Sequence, residues 1–345
     1  MSAPTNTDEA PRPVVGGQAL LEGVLMRTPE RAVAVVRRRD GRLVEREIPV
    51  PRRARTRAGR IVGAPFMLLD ALRVGSAALQ FSAKIYEEDE RGSAPNVGGM
   101  LILLWLTGGL TDDVESASAE GSGAPMLEME QLELRHIVPM AISASFALFM
   151  LFTAPQAVAW LVAWLLGLLG LSVPVSGFVF QLITVVTLLV GVAAYVGLLG
   201  RILEIRRLFM FHGAEHKSVH AFEQGLPLRV ENAGRQTRLH PRCGTSLIIT
   251  LALLSLPWFW GLASGLVWFG LSPLWANLAL LGLKLASAPA LLALSIEVQR
   301  LIARDVGRLR VLRTPGFAFQ RLTTREPAAD QLEVALHALR RALAQ

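Results

Sequence analysis

Hydrophobic positions along this chain keep three different rhythms. In RAVAVVRRRDGRLVEREIPV, residues 31–50, two short strand-like runs flank Asp40-Gly41, a dipeptide that tolerates the positive φ angles of a tight turn, and the pattern predicts an N-terminal β hairpin. Residues 61–86 change to a mainly helical spacing, apolar at Phe66, Leu69, Leu72 and Leu79. Farther along, the polar half of the pattern vanishes. No Asp, Glu, Lys or Arg occurs from His136 to Gly200, and Lys284 is the single exception from Cys243 to Ile296. A bilayer crossing needs roughly 20 apolar residues, and a soluble core helix rarely stays apolar all round for so long. Each stretch therefore has room for two crossings, at about 137–155, 176–199, 246–267 and 274–297. The expected class is mainly α: a polytopic helical membrane protein with about four transmembrane helices and a small α+β cytoplasmic portion containing the hairpin.

Three stretches fit this scheme less simply. QAVAWLVAWLLGLLGL, 156–171, is too apolar for an ordinary loop, so it either prolongs the first helix beyond a kink at Pro155 or forms a re-entrant or interfacial piece. MLILLWL, 100–106, is too short to span, and its surroundings from 87 to 131 are acidic and rich in Gly and Ser, which reads as a flexible insertion. Later, Asp330 and Glu333 bracket an N-cap position before LEVALHALRRALA, a short amphipathic helix with arginines toward its C-terminus. The chain accordingly divides into a hairpin and helix region (1–86), the insertion (87–135) and a first helix pair (136–200). A polar cytoplasmic loop (201–245), a second helix pair (246–298) and a cytoplasmic cap with the amphipathic helix (299–345) complete it.

Charge gives the scheme an orientation. Of 35 Lys and Arg residues, 17 precede His136, eight lie between Arg201 and Arg242, and nine follow from Arg300 onward. The outer connections at about 156–175 and 268–273 carry none. Positive charge is retained on the cytoplasmic side, which places both termini in the cytoplasm and the chain among membrane lipids. No apolar leader opens MSAPTNTDEAPRPVV, and the lone cysteine, Cys243, excludes an internal disulfide and suits a reducing compartment. The net charge of +7 comes mostly from arginines without interleaved aromatics, which argues against nucleic acid as a partner. Gln181, Thr184, Thr187 and Lys284 are too few polar groups to favour a transport path.

The ionisable chemistry gathers in FHGAEHKSVHAFE, 211–223. His212, Glu215 and His216 form H-x-x-E-H; on a helix the two histidines, one turn apart, can face one metal ion while the glutamate lies beside them. In this inverzincin order the histidines ligate a divalent metal, zinc, a downstream acid completes the set, and Glu215 is the candidate catalytic base that polarises water. His220 continues the stripe and suits a structural or hydrogen-bonding role. The candidates for the third ligand are His240 and Cys243 of HPRCGTS, whose spacing lets both turn toward one ion, the nearby Glu223, and Glu297 of LSIEVQRL, for which Arg300 is the mundane partner. With His212, His216 and Glu297 one position stays open for water; adding both His240 and Cys243 makes a closed structural site.

Two further stretches lack familiar catalytic grammar. VVGGQALLEGVLMRTP, 14–29, sets Gln18, Glu22 and Arg27 among Gly16, Gly17 and Gly23 and reads as a packed turn. TPGFAFQRLTTREP, 314–327, combines turn signals with Gln320, Arg321, Thr323 and Thr324, as a cap over the membrane face or a headgroup-binding loop does. Taken in order, GGQALLEGVLMR, FHGAEHKSVHAFE, HPRCGTS and PGFAFQRLTTREP resemble the bacterial YqhQ-like family of polytopic membrane proteins. The resemblance runs from about Val14 to the end, apart from 87–131, with Phe211 where Tyr is more usual. It implies a polytopic membrane architecture and, through HGAEHK and HPRCG, a metal-dependent enzyme. Two functions are expected alternatives. One is a zinc-dependent hydrolase acting at the cytoplasmic face on a membrane-associated peptide or lipid substrate. The other is a non-catalytic scaffold or assembly factor whose metal, if any, is a staple.

Overall fold

The computed structural model describes residues 12–50, 64–90, 149–304 and 307–344. Three sequence expectations fall outside them: MLILLWL at 100–106, the insertion from 91 to 135, and the start of the first crossing up to 148. Strands β1 (Gly16–Leu20), β2 (Gly23–Arg27), β3 (Ala32–Arg37) and β4 (Leu43–Ile48) form an antiparallel meander in chain order. Nine α-helices follow among the described residues: α1 (Ala64–Glu90), α2 (Ala154–Leu168), α3 (Phe178–Leu199), α4 (Leu203–Glu223), α5 (Val230–Gly234), α6 (Gly244–Leu266), α7 (Pro273–Ala303), α8 (Thr314–Thr323) and α9 (Ala329–Leu343).

The Asp40-Gly41 hairpin joins β3 to β4, with Val36 opposite Val44 and Val33 opposite Glu47. A second hairpin, β1–β2, goes beyond the single one that the valine-rich pattern predicts, because neither Leu21 nor Glu22 is a usual turn residue. Glu22 sits at φ 51°, and Arg207 of α4 grips its carboxylate through bonds of 2.6 and 2.5 Å. Alternation along the strands then splits the sheet into two apolar faces. Leu20, Leu25, Ala32 and Ala34 pack on Val74 and Ala78 of α1. Val24, Met26, Val33 and Val35 pack on Phe211 and Ala214 of α4 and on Leu336 and Leu339 of α9. The sheet is thus a filling between helices, and α4 lies against its inner face.

Two boundaries differ from expectation. The acidic run Glu88, Asp89 and Glu90 continues α1 instead of opening the insertion, because Arg38 and Arg39 beside the hairpin turn pair with it. The amphipathic helix α9 starts at Ala329, and its first turn is closed by Gln331, whose side-chain oxygen accepts the Ala328 N–H at 3.0 Å, rather than by Asp330 or Glu333.

Four helical segments are long and apolar enough to cross a membrane: Leu151–Leu168, Phe178–Leu199, Gly244–Leu266 and Pro273–Ala303. The first takes in most of 156–171 as continuous helix, so this stretch prolongs the first expected crossing beyond 155. Pro155 stands where a π-helical turn, Phe149–Thr153, passes into α2, a change of winding that accommodates its missing N–H. Trp160, Trp164, Val190, Leu253 and Trp275 are exposed, an apolar surface broader than a water-soluble protein presents. The links at 169–177 and 267–272 carry no Lys or Arg.

Candidate metal centre

Helix α4 is buried from Gly213 to Val219 and again at Ala221, although Glu215, His216, Lys217 and Ser218 lie in that stretch. Polar groups taken out of water need partners, and neighbouring segments supply them. His212 Nδ1 lies 2.9 Å from the Thr323 carbonyl at the end of α8, and His216 Nδ1 lies 2.5 Å from the Arg238 carbonyl. A carbonyl oxygen only accepts, so both Nδ1 atoms carry the proton and both Nε2 atoms keep a lone pair. Lys217 Nζ donates to the Gly234 carbonyl at 2.8 Å and pairs with Glu326.

The lone pairs face the start of α6. Cys243, at the N-cap of α6, sets its Sγ 3.3 Å from His212 Nε2. One ligand atom each from His212, His216 and Cys243 lies within 4.8 Å of the others. Tetrahedral zinc with one nitrogen and one sulfur ligand separates those two atoms by about 3.5 Å, so the spacing suits a small divalent cation. Glu215 completes the surroundings, with Oε2 3.6 Å from His216 Nε2 and 4.0 Å from His212 Nε2. Burial raises its pKa against the opposing pull of His212 and His240. Burial also lowers the pKa of His216, which keeps the imidazole neutral and able to ligate.

His240 and Glu297 stand outside this trio, although the His240 ring centroid is only 5.6 Å from that of His216. His240 belongs to a second group with His220 and Glu223, again within 4.8 Å of one another. Its Nδ1 accepts the Arg242 N–H at 3.3 Å, so its Nε2 carries the proton toward Glu223 Oε2, also at 3.3 Å, and Arg242 pairs with the same carboxylate. His220 Nε2 donates to the Leu239 carbonyl at 3.0 Å, the hydrogen-bonding role expected of it, and burial lowers its pKa to about 4. The turn through HPRC therefore sends His240 and Cys243 to different groups. Glu297 pairs with Arg300 and stands in neither group. Gln299 does reach the site: its Nε2 donates to the Cys243 carbonyl at 2.8 Å. Residues two apart on a helix face opposite ways, so α7 brings the correct depth with a different side chain.

The unassigned motifs supply the frame. Gln320 of α8 accepts the His240 N–H at 2.8 Å and donates to the His240 carbonyl at 2.8 Å and to Ser246 Oγ at 2.5 Å, which pins the loop before Cys243. A Cβ at Gly17 of β1 would fall 2.6 Å from Glu215 Cγ, so the bare backbone makes room for that carboxylate. Gly213 does the same for the chain after α8, whose Arg325 carbonyl occupies the place of its Cβ. Gln320, Gln299 and Gly17 escape a search for ligands because none is one; the signal for Gln320 and Gly17 is that they stand in motifs with no chemistry of their own.

Fold and cluster together define a class: an α+β module in which His, Cys and Glu side chains converge, joined to four helices of bilayer-spanning length and hydropathy. The chain belongs to the family described as "Protein of unknown function (DUF1385)", which matches residues 61–345. It is 29% identical over 331 residues to "Uncharacterized protein YqhQ" of Bacillus subtilis (strain 168), covering 94% of this chain and 90% of that one. No solved structure matches it.

Proposed function

We propose that this chain is a multi-pass protein of the bacterial inner membrane, with both termini cytoplasmic, whose cytoplasmic module holds zinc and hydrolyses a membrane-associated peptide or lipid. His212, His216 and Cys243 are the ligands in this reading. The observation that carries it is the pair of carbonyl-bound Nδ1 atoms, which aim two nitrogen lone pairs at one thiol beside a buried carboxylate. Zinc bound there would supply a Lewis acid and lower the pKa of a water. Glu215, with its pKa raised by burial, takes the proton from the attacking water and returns it to the leaving group. The Thr323 and Arg238 carbonyls orient the ligand imidazoles, as outer partners of metal-bound histidines do. The clustering of Lys and Arg away from the 169–177 and 267–272 links supports the orientation.

The test is metal analysis of the purified protein with cobalt in place of zinc. Stoichiometric metal and a thiolate-to-cobalt absorption band are expected, the band vanishing in Cys243→Ser and metal falling in His212→Ala. A protein without stoichiometric metal after metal-replete purification would sink the proposal. The deep burial of the donors, with His216 2% and Cys243 8% exposed, also favours a scaffold in which the metal is a staple. Glu215→Gln separates the readings: a hydrolase keeps its metal and loses turnover, whereas a scaffold keeps its metal and loses nothing.

A further inference from the structure

Lys284 lies on α7, far from the donor cluster. At 1.5 Å per residue it is about 22 Å along the helix axis from Gln299, which marks the depth of Cys243. In the reading of α7 as a membrane span, that places it deep in hydrocarbon. Its side chain is 1% exposed, and among the described residues Nζ has no hydrogen-bond partner. The nearest compensation is the Phe259 ring of α6, whose centroid is 5.0 Å from Nζ. A cation–π contact offsets only part of the cost of an ammonium in such surroundings.

The amine borders a cavity of about 100 Å³ between α3, α6 and α7. Val185, Leu188, Ala252 and Leu291 line it, and Phe319 of α8 lines it as well. Its lining on α6 extends from Phe259 back to Ile248, about 16 Å at the helical rise. Ile248 and Leu151, also on its wall, are exposed, so the slot opens toward the apolar outer surface. Two hydroxyls share the lining, yet Thr184 donates to the Phe180 carbonyl and Ser255 to the Ala252 carbonyl, so neither proton is spare. Among the described residues, Lys284 is therefore the one available donor on this wall.

We infer that the slot binds a long-chain carboxylic acid, with the carboxyl group on Lys284 and the chain running toward Ile248 and Leu151. A partner that can present a negative charge offsets the burial of the amine, and apolar walls favour one that is mostly hydrocarbon. A carboxylic acid satisfies both. It can move through hydrocarbon in its neutral form and pass its proton to the buried amine, so that the carboxylate–ammonium pair it makes is neutral as a whole. A phosphate headgroup stays ionised and hydrated, so it is held at the membrane surface. The cavity accommodates the carboxyl and its first methylenes, and the rest of the chain lies along α6.

The experiment uses the full-length protein in lipid nanodiscs titrated with carboxyl-¹³C oleic acid. A saturable bound carboxyl resonance is expected, displaced by unlabelled oleic acid and not by oleyl alcohol or methyl oleate. Lys284→Met should weaken binding about 100-fold, the loss typical of removing one partner of a desolvated charge pair. Ala288→Leu, which narrows the slot and keeps the amine, should also weaken it. Equal displacement by acid, alcohol and ester would overturn the inference, and that comparison needs only the unaltered chain. Undiminished binding by a folded Lys284→Met protein would overturn it as well.

Discussion

Helices α3 and α4 follow one another in the chain and invert the usual distribution of polar and apolar residues. α3 carries no charged residue and presents Leu182, Val186, Val190 and Leu198 outward. α4 carries His212, Glu215, His216, Lys217 and His220, and its middle is enclosed. The difference lies in bonding partners rather than in hydropathy. The three histidines and Lys217 end on carbonyl oxygens of other segments, so their desolvation is offset. The outward face of α3 needs no polar partner, only an apolar solvent. Hydropathy alone would have exchanged the two helices.

The comparison can be broken first where α4's surroundings are held. Gln320→Leu leaves the buried N–H and carbonyl of His240 unpaired and should cost about 4 kcal/mol in stability, from roughly 1–3 kcal/mol for each stranded group. Hydrogen exchange across 238–243 should rise with it; unchanged protection would mean that the loop is anchored by other contacts. Val190→Asp tests the other helix. In a bilayer it should cost about 3 kcal/mol of apparent insertion free energy in a glycosylation-reporter assay, whereas a water-facing position would tolerate it within about 0.5 kcal/mol. Gly17→Ala forces a methyl against Glu215 and should destabilise by about 1–3 kcal/mol, read as a lowered melting temperature together with a changed cobalt spectrum.

Smaller effects sharpen the picture. His220 stays neutral in the fold down to about pH 4, while an unfolded histidine takes up its proton near 6.5. Its contribution is therefore present above pH 6.5 and is lost as the pH falls from 6.5 toward 4. Glu215 works in the opposite sense: its raised pKa makes the fold bind a proton before the unfolded chain does, so acid favours the fold through that group. Melting temperature against pH should lose part of its acid slope in His220→Gln and steepen in Glu215→Gln. The smallest change belongs to Glu297→Gln, which should alter stability by less than about 0.5 kcal/mol and leave metal content untouched.

Much of the fold is legible in the residues, for identifiable reasons. The long runs without charge announce the apolar helices because nothing else in a chain looks like them, and Asp40-Gly41 announces its hairpin because few dipeptides accept that turn. The β1–β2 hairpin is hidden, since its turn is stabilised from a distance by Arg207. Within the donor group, His212, Glu215 and His216 are readable from helical spacing alone. Which of His240, Cys243 and Glu297 joins them is not, because that choice depends on how a loop and a distant helix are rotated. Gln299 and Arg300 illustrate the point: one residue apart, the first reaches the Cys243 carbonyl and the second pairs with Glu297.

The docking of α9 on the inner face of β2 and β3 has a consequence for how the protein is made. The meander leaves the ribosome well before α9, yet Glu45 waits for Arg341 and His337, and Arg37 waits for Glu333. At typical elongation speeds the interval is about 15–60 s. Throughout it, valine and methionine side chains meant for α9 stay uncovered while four very apolar helices are being delivered. The nascent sheet therefore keeps part of one apolar face open until α9 has been made.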